Sequence, residues 1–269
     1  MLSRSENTQK SRYGINAVDR AVAILGALEG AGSMRLTDVA QATALSESTA
    51  FRYLATLIEH RLVDRADDGT YRLGLRLFSM GQHAVGERDA RILALSHMER
   101  LLERFEETVN LAVRRGDELM VVEVVESQRS IRKGASIGDT DLWHCSALGK
   151  CIMSLLPESE VRGILSRRGT ERFTERTLST IDDVVAHLAL VREHGYAVDD
   201  EEAESGLRCI AAAVRDRRGA ALYALSVSGP AARVDPTSFA EIGAELAAAT
   251  TAISEALGYE QPRWQPKSA

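Results

Sequence analysis

Cysteine is scarce in this sequence: 3 in 269 residues, at Cys145, Cys151 and Cys209. So small and odd a set excludes a disulfide framework. No C-x-x-C occurs, and a structural zinc site therefore has little support. Long hydrophobic runs are missing too, and none approaches the ~18 apolar residues that span a bilayer. The segment Met1–Ser11 is polar and lacks the apolar centre of a secretory signal. The expectation is a cytoplasmic protein with no membrane partner. Catalytic signatures are absent as well: there is no G-x-S-x-G, H-E-x-x-H or phosphate loop. His144 beside Cys145 is no catalytic pair, because neighbours on a strand face opposite ways. The sequence thus predicts no enzyme, no catalytic residue, no cofactor and no metal. Aromatic content is only 5% and gives no preference for an aromatic ligand.

What is present is an ordinary globular balance, 45% apolar and 27% charged. At ~100–200 residues per domain, the length allows one large or two modest domains. The net charge of −6 argues against nucleic acid until it is divided. Residues 1–76 carry 10 Lys and Arg against 9 Asp and Glu, a net of +1; the rest carries 23 against 30, a net of −7. A near-neutral first segment can still hold a basic face, while the acidity beyond it discourages wrapping by DNA.

Helical spacing runs from Ile15 to Glu29, with Asn16 as a candidate cap and Gly30 as a candidate stop. A short second helix is expected over Thr37–Thr43, capped by Thr37. After a turn at Ala44 and Leu45, a third helix is expected from a Ser46 cap through Ile58. Two β-like runs, Leu62–Arg65 and Thr70–Gly74, flank Asp67-Asp68-Gly69 and read as a hairpin. Helix, helix, turn, helix, hairpin is the winged helix-turn-helix order. A connecting helix is expected from Leu75 to Gly86. Beyond it the elements mix. Helices are expected over Arg91–Thr108, Ala147–Leu155, Glu158–Ser166, Ile181–His194 and Pro236–Leu257. Strands are expected at Asn110–Arg114, Leu119–Val125, Ser130–Ser136, Tyr196–Glu201, Cys209–Asp216 and Ala221–Ser228. This predicts an α+β chain in three parts: a winged helix-turn-helix over 13–75, a linker helix over 76–88, and a domain over 89–260 with a central antiparallel sheet flanked by helices. Disorder is expected only in the first and last dozen residues.

A recognition helix presents short polar and cationic groups on one face and an apolar seam on the other. Ser46, Glu47, Ser48, Thr49, Arg52 and Tyr53 crowd the front of the third helix. Leu54, Leu57 and Ile58 form the seam. Arg52 is a candidate for bidentate contact with guanine, and Glu47 for accepting from a cytosine amine. Arg65 and Arg72 flank the wing tip, and Arg35 and Thr37 open the second helix, all placed for phosphates. The plain alternative is three amphipathic helices with a solvated face; the two hairpin arginines favour DNA.

On these residues the chain resembles the IclR family of bacterial transcription regulators, over almost its whole length. Ala17–Ala21, Ser46–Leu54 (SESTAFRYL) and Tyr71–Gly74 are similar to that family's DNA-binding domain. His144–Lys150 (HCSALGK) is similar to its HCTALGK-like segment. Gly195–Glu202 and Cys209–Val214 are similar to its C-terminal signature. Ala44 departs from a usual turn glycine, Ala213 from a common proline, and Arg215 from an aromatic or histidine.

The resemblance implies a GAF-like effector domain, a homodimer that often assembles as a tetramer, and a palindromic double-stranded operator. Repression is expected ahead of activation. It also implies a small-molecule effector at one end of the sheet, against Ala147, Leu148, Asp199, Cys209 and Ser226. Ser146, Glu202 and Ser228 are included with these, and Leu142 and Trp143 are candidates for an apolar wall. A small carboxylate, aliphatic or aromatic, is expected, because Ser146–Gly149 opens a helix. On the residues alone, Cys209 reads as a buried small hydrophobe, His144 as a core histidine, and Asp199 and Glu202 as solvated carboxylates. A zinc site from His144, Cys145, Asp199 and Cys209 is a minor alternative. A rival of another class is a GAF-like sensor or enzyme whose N-terminal domain binds protein.

Overall fold

A computed structural model describes residues 15–85 and 90–260. The expectations for the linker beyond Val85, and most of those for the chain ends, lie outside the described residues. The chain divides into two compact units between residues 87 and 88.

The first unit contains α1 (Asn16–Ala31), α2 (Leu36–Ala42), α3 (Glu47–Glu59), the strands β1 (Val63–Arg65) and β2 (Tyr71–Leu73), and α4 (Leu75–Val85). Ile24 and Leu28 of α1, Val39 and Ala40 of α2, and Ala50, Leu54 and Leu57 of α3 meet in one core, closed by Val63 and Tyr71 of the hairpin. The i, i+3/i+4 spacing of these residues turns each helix's apolar stripe inward. Ser46 caps α3: its Oγ accepts from the Thr49 N–H at 3.3 Å. The hairpin pairs Val63 with Leu73 and Asp64 with Arg72. Its Asp-Asp-Gly turn closes with Gly69 at φ +81°.

Two caps differ from expectation. Ile15, with no side-chain bond, holds the N-cap place of α1, and the helix passes through Gly30 to end at Gly32, whose left-handed φ of +72° supplies the stop. Helix α2 starts one residue early. The Asp38 side chain accepts from the Arg35 N–H at 3.2 Å, leaving Thr37 inside the first turn.

The second unit contains α5 (Ala90–Phe105), β3 (Thr108–Arg115), β4 (Glu118–Val125), α6 (Ala147–Met153), α7 (Glu158–Arg168), α8 (Ile181–His194), β5 (Ala197–Asp200), β6 (Leu207–Arg215), β7 (Ala221–Pro230) and α9 (Phe239–Ala256). Five antiparallel strands lie in the order β4-β3-β7-β6-β5. One sheet face carries Val109, Leu111, Val113, Ile210, Val214, Leu225 and Val227 and packs on α5 and α9. The other carries Ala112, Ala197, Ala211 and Ala224 and packs on α6, α7 and α8. Period-two alternation sends neighbours to opposite faces, and the alanine face lets α6 lie close to the sheet.

Three boundaries are corrected. Helix α5 stops at Phe105 because Glu106 turns left-handed at φ +55°, and Thr108 already belongs to β3. Residues Ser130–Ser136 form no strand. The outer edge of β4 is met instead by Gly138 and Asp139, through N–H···O bonds of 2.8 and 2.9 Å with Val121. Pro236–Ser238 is a short 3-10 turn capped by Asp235, and α9 proper begins at Phe239.

Ala44, between α2 and α3, sits at φ +52°. A left-handed non-glycine residue costs roughly 1–2 kcal/mol, part of which glycine's greater unfolded freedom offsets. Ala44→Gly should therefore raise the stability of the first unit by roughly 0.5–1 kcal/mol. A urea titration monitored in that unit checks this; a lowered midpoint would contradict it.

Candidate functional site

The outward stripe of α3 consists of Glu47, Ser48, Phe51, Arg52, Ala55, Thr56 and Glu59, all exposed. They follow one another at i, i+4, i+8, i+12 and at i+1, i+5, i+9, two adjacent ridges of a helix side. At the head of the helix the hydroxyls of Ser46, Ser48 and Thr49 form one group: Ser46 Oγ lies 3.1 Å from Ser48 Oγ and 2.8 Å from Thr49 Oγ1. Thr49 is half-buried. Tyr53 is half-buried against the unit's own core, so its ring serves packing more than the outer surface. Arg65 and Arg72 are exposed on the hairpin, with the Arg65 guanidinium 5.6 Å from the Tyr71 ring centre. Arg35 and Thr37 are exposed at the start of α2. Phe51, half-exposed in the middle of the stripe, was missing from the sequence-derived set. An aromatic residue off the Leu54–Leu57 seam was the signal for it.

The second unit holds a different kind of site. Register places Thr108 of β3, Ser228 of β7, Cys209 of β6 and Asp199 of β5 side by side across four strands. In the next row Asn110 stands beside Ser226. All six share the sheet face that bears the alanines. Asn110 Nδ2 lies 3.3 Å from Ser228 Oγ and 3.4 Å from Ser226 Oγ. Ser228 Oγ donates to Cys209 Sγ at 2.9 Å. Beyond β5, Asp199 Oδ1 accepts from the N–H groups of Glu202 (2.7 Å) and Ala203 (3.3 Å). Lys150 of α6, fully buried, pairs with Glu202 Oε1. Two buried side-chain oxygens, Asn110 Oδ1 and Glu202 Oε2, have no hydrogen-bond partner among the described residues.

The sequence-derived effector residues separate into groups. Asp199, Cys209, Ser226 and Ser228 stand together in the two rows, with Glu202 just past Asp199. Ala147 and Leu148 are buried in the first turn of α6, packed in the alanine-face core. Ser146 is spent on its own helix, accepting from the Gly149 N–H at 3.0 Å and donating to the Leu142 carbonyl at 2.6 Å. Trp143 does not join them. Its Nε1 donates to the Asp117 carbonyl past the far end of β3, about 20 Å along the strand from Asn110. Leu142 is exposed. His144 is a core histidine, with Nε2 2.8 Å from the Glu171 carbonyl oxygen and its ring stacked on Phe173. The zinc alternative finds no group of three or more metal-ligating side chains among the described residues. The run 199–202 is split rather than solvated throughout: Asp199 and Glu202 are buried, while Asp200 and Glu201 reach out to Arg176 and Arg208. Asn110 and Lys150 were missed. A lone amide in Val109–Val113 and a lone cation in Ala147–Met153 were the available signals.

Burial governs the protonation of these groups. It pushes the Asp199 carboxyl up to about 7, although Lys150 and the backbone N–H of Glu202 pull it down. It also raises Glu202 against the pull of Lys150. The thiols of Cys145 and Cys209 are pushed up to about 12, chiefly by burial. Asp199 sets a sign for stability. Below about pH 4 both folded and unfolded chains hold its proton. Between about 4 and 7 only the folded chain does, so stability falls as pH rises through that window and levels off above it. Asp199→Asn should flatten this slope between pH 4.5 and 7 in urea titrations; a slope equal to the parent's would refute the assignment.

Comparisons with known proteins match both units. Residues 17–67 match the IclR helix-turn-helix domain, and residues 82–255 match the bacterial transcriptional regulator IclR C-terminal domain. The HTH-type transcriptional repressor AllR of Salmonella typhimurium is 36% identical over 254 residues, covering 94% of this chain and 93% of AllR. The crystal structure of the Thermotoga maritima IclR superposes with a TM-score of 0.79 at 28% identity, covering 91% of this chain and all of that one. An IclR homologue from Microbacterium hydrocarbonoxydans, crystallised with 4-hydroxybenzoate, gives 0.75 at 25% identity, covering 90% of this chain and 98% of that one. With a helix-turn-helix at its head and an antiparallel sheet domain behind it, the chain belongs to the IclR family of bacterial transcriptional regulators.

Proposed function

We propose that this regulator is a repressor that binds an inverted-repeat operator as a homodimer, and that a small carboxylate bound on the polar rows of its sheet changes its operator affinity. The observation that carries the DNA part is the outward stripe of α3. Its short polar groups and Arg52 stand clear of the unit's core, with the arginine-bearing hairpin following in the chain. Arg52 reads a base edge, Ser46, Ser48 and Thr49 meet base edges or phosphates, and Arg35, Thr37, Arg65 and Arg72 hold the backbone. Phe51 is an apolar group suited to a thymine methyl.

Dimerisation is supported by apolar side chains left exposed in the first unit. Ile15, Val18 and Val22 form one ridge of α1, and Leu75 and Phe78 lie on α4. A second copy covers such surface and supplies the second recognition helix. The effector part is supported by the buried polar rows and by the buried oxygens of Asn110 and Glu202 that lack a hydrogen-bond partner among the described residues. The carboxylate seen with the Microbacterium hydrocarbonoxydans homologue points to the same ligand class. Thiols held protonated by burial offer no nucleophile, which supports a binding role over an enzymatic one. Effector binding shifts operator affinity through two arrangements of the dimer, with a coupling of about 1–3 kcal/mol, or roughly 5- to 150-fold.

Duplexes selected from a random pool by the full chain provide the test. Arg52→Ala should weaken binding of the selected duplex about 5- to 150-fold in fluorescence anisotropy, with the circular dichroism spectrum unchanged. Undiminished affinity would overturn the role given to α3. A chain that enriches no duplex from the pool, or whose interaction ignores salt, would instead favour the rival reading in which the first unit binds protein.

A further inference from the structure

The two unpartnered oxygens restrict the effector more narrowly than its charge does. Asn110 is 4% exposed and Glu202 6% exposed. Buried polar atoms are almost always hydrogen-bonded, so two orphans in one cluster call for a partner.

Each oxygen is left over for a local reason. Ser228 spends its one proton on Cys209 Sγ, so its Oγ accepts from Asn110. That fixes the amide with Nδ2 toward the serines and Oδ1 unserved. Glu202 is held at every other polar atom. Its N–H donates to Asp199, its carbonyl accepts from the hydroxyls of Thr177 (2.6 Å) and Thr174 (3.3 Å), and its Oε1 takes Lys150. Only Oε2 remains. Both orphans are acceptors. They also lie at opposite margins of the cluster: β7 and β6 separate β3 from β5, so the two strands run about 14 Å apart.

We infer that the effector carries at least two separated hydrogen-bond donors, one for Asn110 Oδ1 and one for Glu202 Oε2. The class is a small acid bearing several hydroxyl or amide N–H groups, not a bare alkyl or aryl carboxylate. This rests on the reading of the polar rows as the effector site. A site built around buried acceptors rejects an analogue that lacks the donors, because binding it leaves those oxygens without water or partner.

Two pairs of matched probes test the requirement on the full chain by isothermal titration. D-gluconate is set against hexanoate for O–H donors, and glycylglycylglycine, whose N–H groups are spread along the chain, against 4,7-dioxooctanoate for N–H donors. In at least one pair the donor-bearing acid should bind about tenfold or more tightly than its partner, and the pair concerned identifies the donor type. In Asn110→Leu that advantage should shrink from both sides: the donor-bearing acid loses a bond, and the acceptor-only acid gains affinity because it no longer strands a buried oxygen. Equal binding within both pairs, or no binding by any of the four at millimolar concentration, overturns the inference. The failures are distinguishable. If the acceptor-only acids bind as well and still shift the operator titration, the site stands and the donor requirement falls. If Asn110→Leu leaves all binding untouched, the polar rows are not the effector site and both fall.

Discussion

The ion pair between Lys150 and Glu202 organises the second unit. An ammonium removed from water is strongly unfavourable unless a counter-charge meets it. Lys150 has no exposed surface, and its partner stands two residues past β5. The pair therefore ties α6 to the connection between β5 and β6. The rest of the packing accommodates that tie. Ala112, Ala197, Ala211 and Ala224 leave the sheet face low enough for α6 to approach. On its other side, a Cβ at Gly149 would collide with the carbonyl oxygens of Leu142 and Trp143. Held from both sides, α6 keeps its first turn inside the domain, on the face that carries the polar rows.

The two units use polar residues in opposite ways. In the first, hydroxyls and guanidinium groups stand in water around a small apolar core, so they can exchange solvent for a duplex at little structural cost. In the second, amide, hydroxyl, thiol and carboxylate groups are shut away from water. That raises the Asp199 carboxyl and keeps the thiols of Cys145 and Cys209 protonated. A low-dielectric setting strengthens each satisfied bond and penalises each unsatisfied one. Such a site discriminates by hydrogen-bond count, whereas the surface of α3 discriminates by the pattern it meets in a groove.

Much of the fold was legible because its signals are local. Ser46 announces a helix start, Asp67-Asp68-Gly69 announces a hairpin, and short apolar runs on either side of Arg217-Arg218-Gly219 mark β6 and β7. Less legible was whatever depends on partners distant in sequence. The run Ser130–Ser136 reads as a strand, yet the edge of β4 is occupied by Gly138 and Asp139. Trp143 directly precedes the His144–Lys150 motif, but its indole is drawn to the β3–β4 turn. Asn110 and Lys150 gain meaning only when strands 116 residues apart and a helix 52 residues from its counter-ion meet. Ala44, where the resemblance implied a glycine, keeps the turn by adopting the left-handed conformation itself.

A double-mutant cycle measures the buried pair directly. Lys150→Met and Glu202→Leu should each destabilise the second unit by about 3–5 kcal/mol, because each strands a buried charge. The double variant should regain most of that loss, since two apolar side chains of similar volume need no counter-ion. Losses that simply add would show that the two charges do not depend on each other and would contradict the organisation described here.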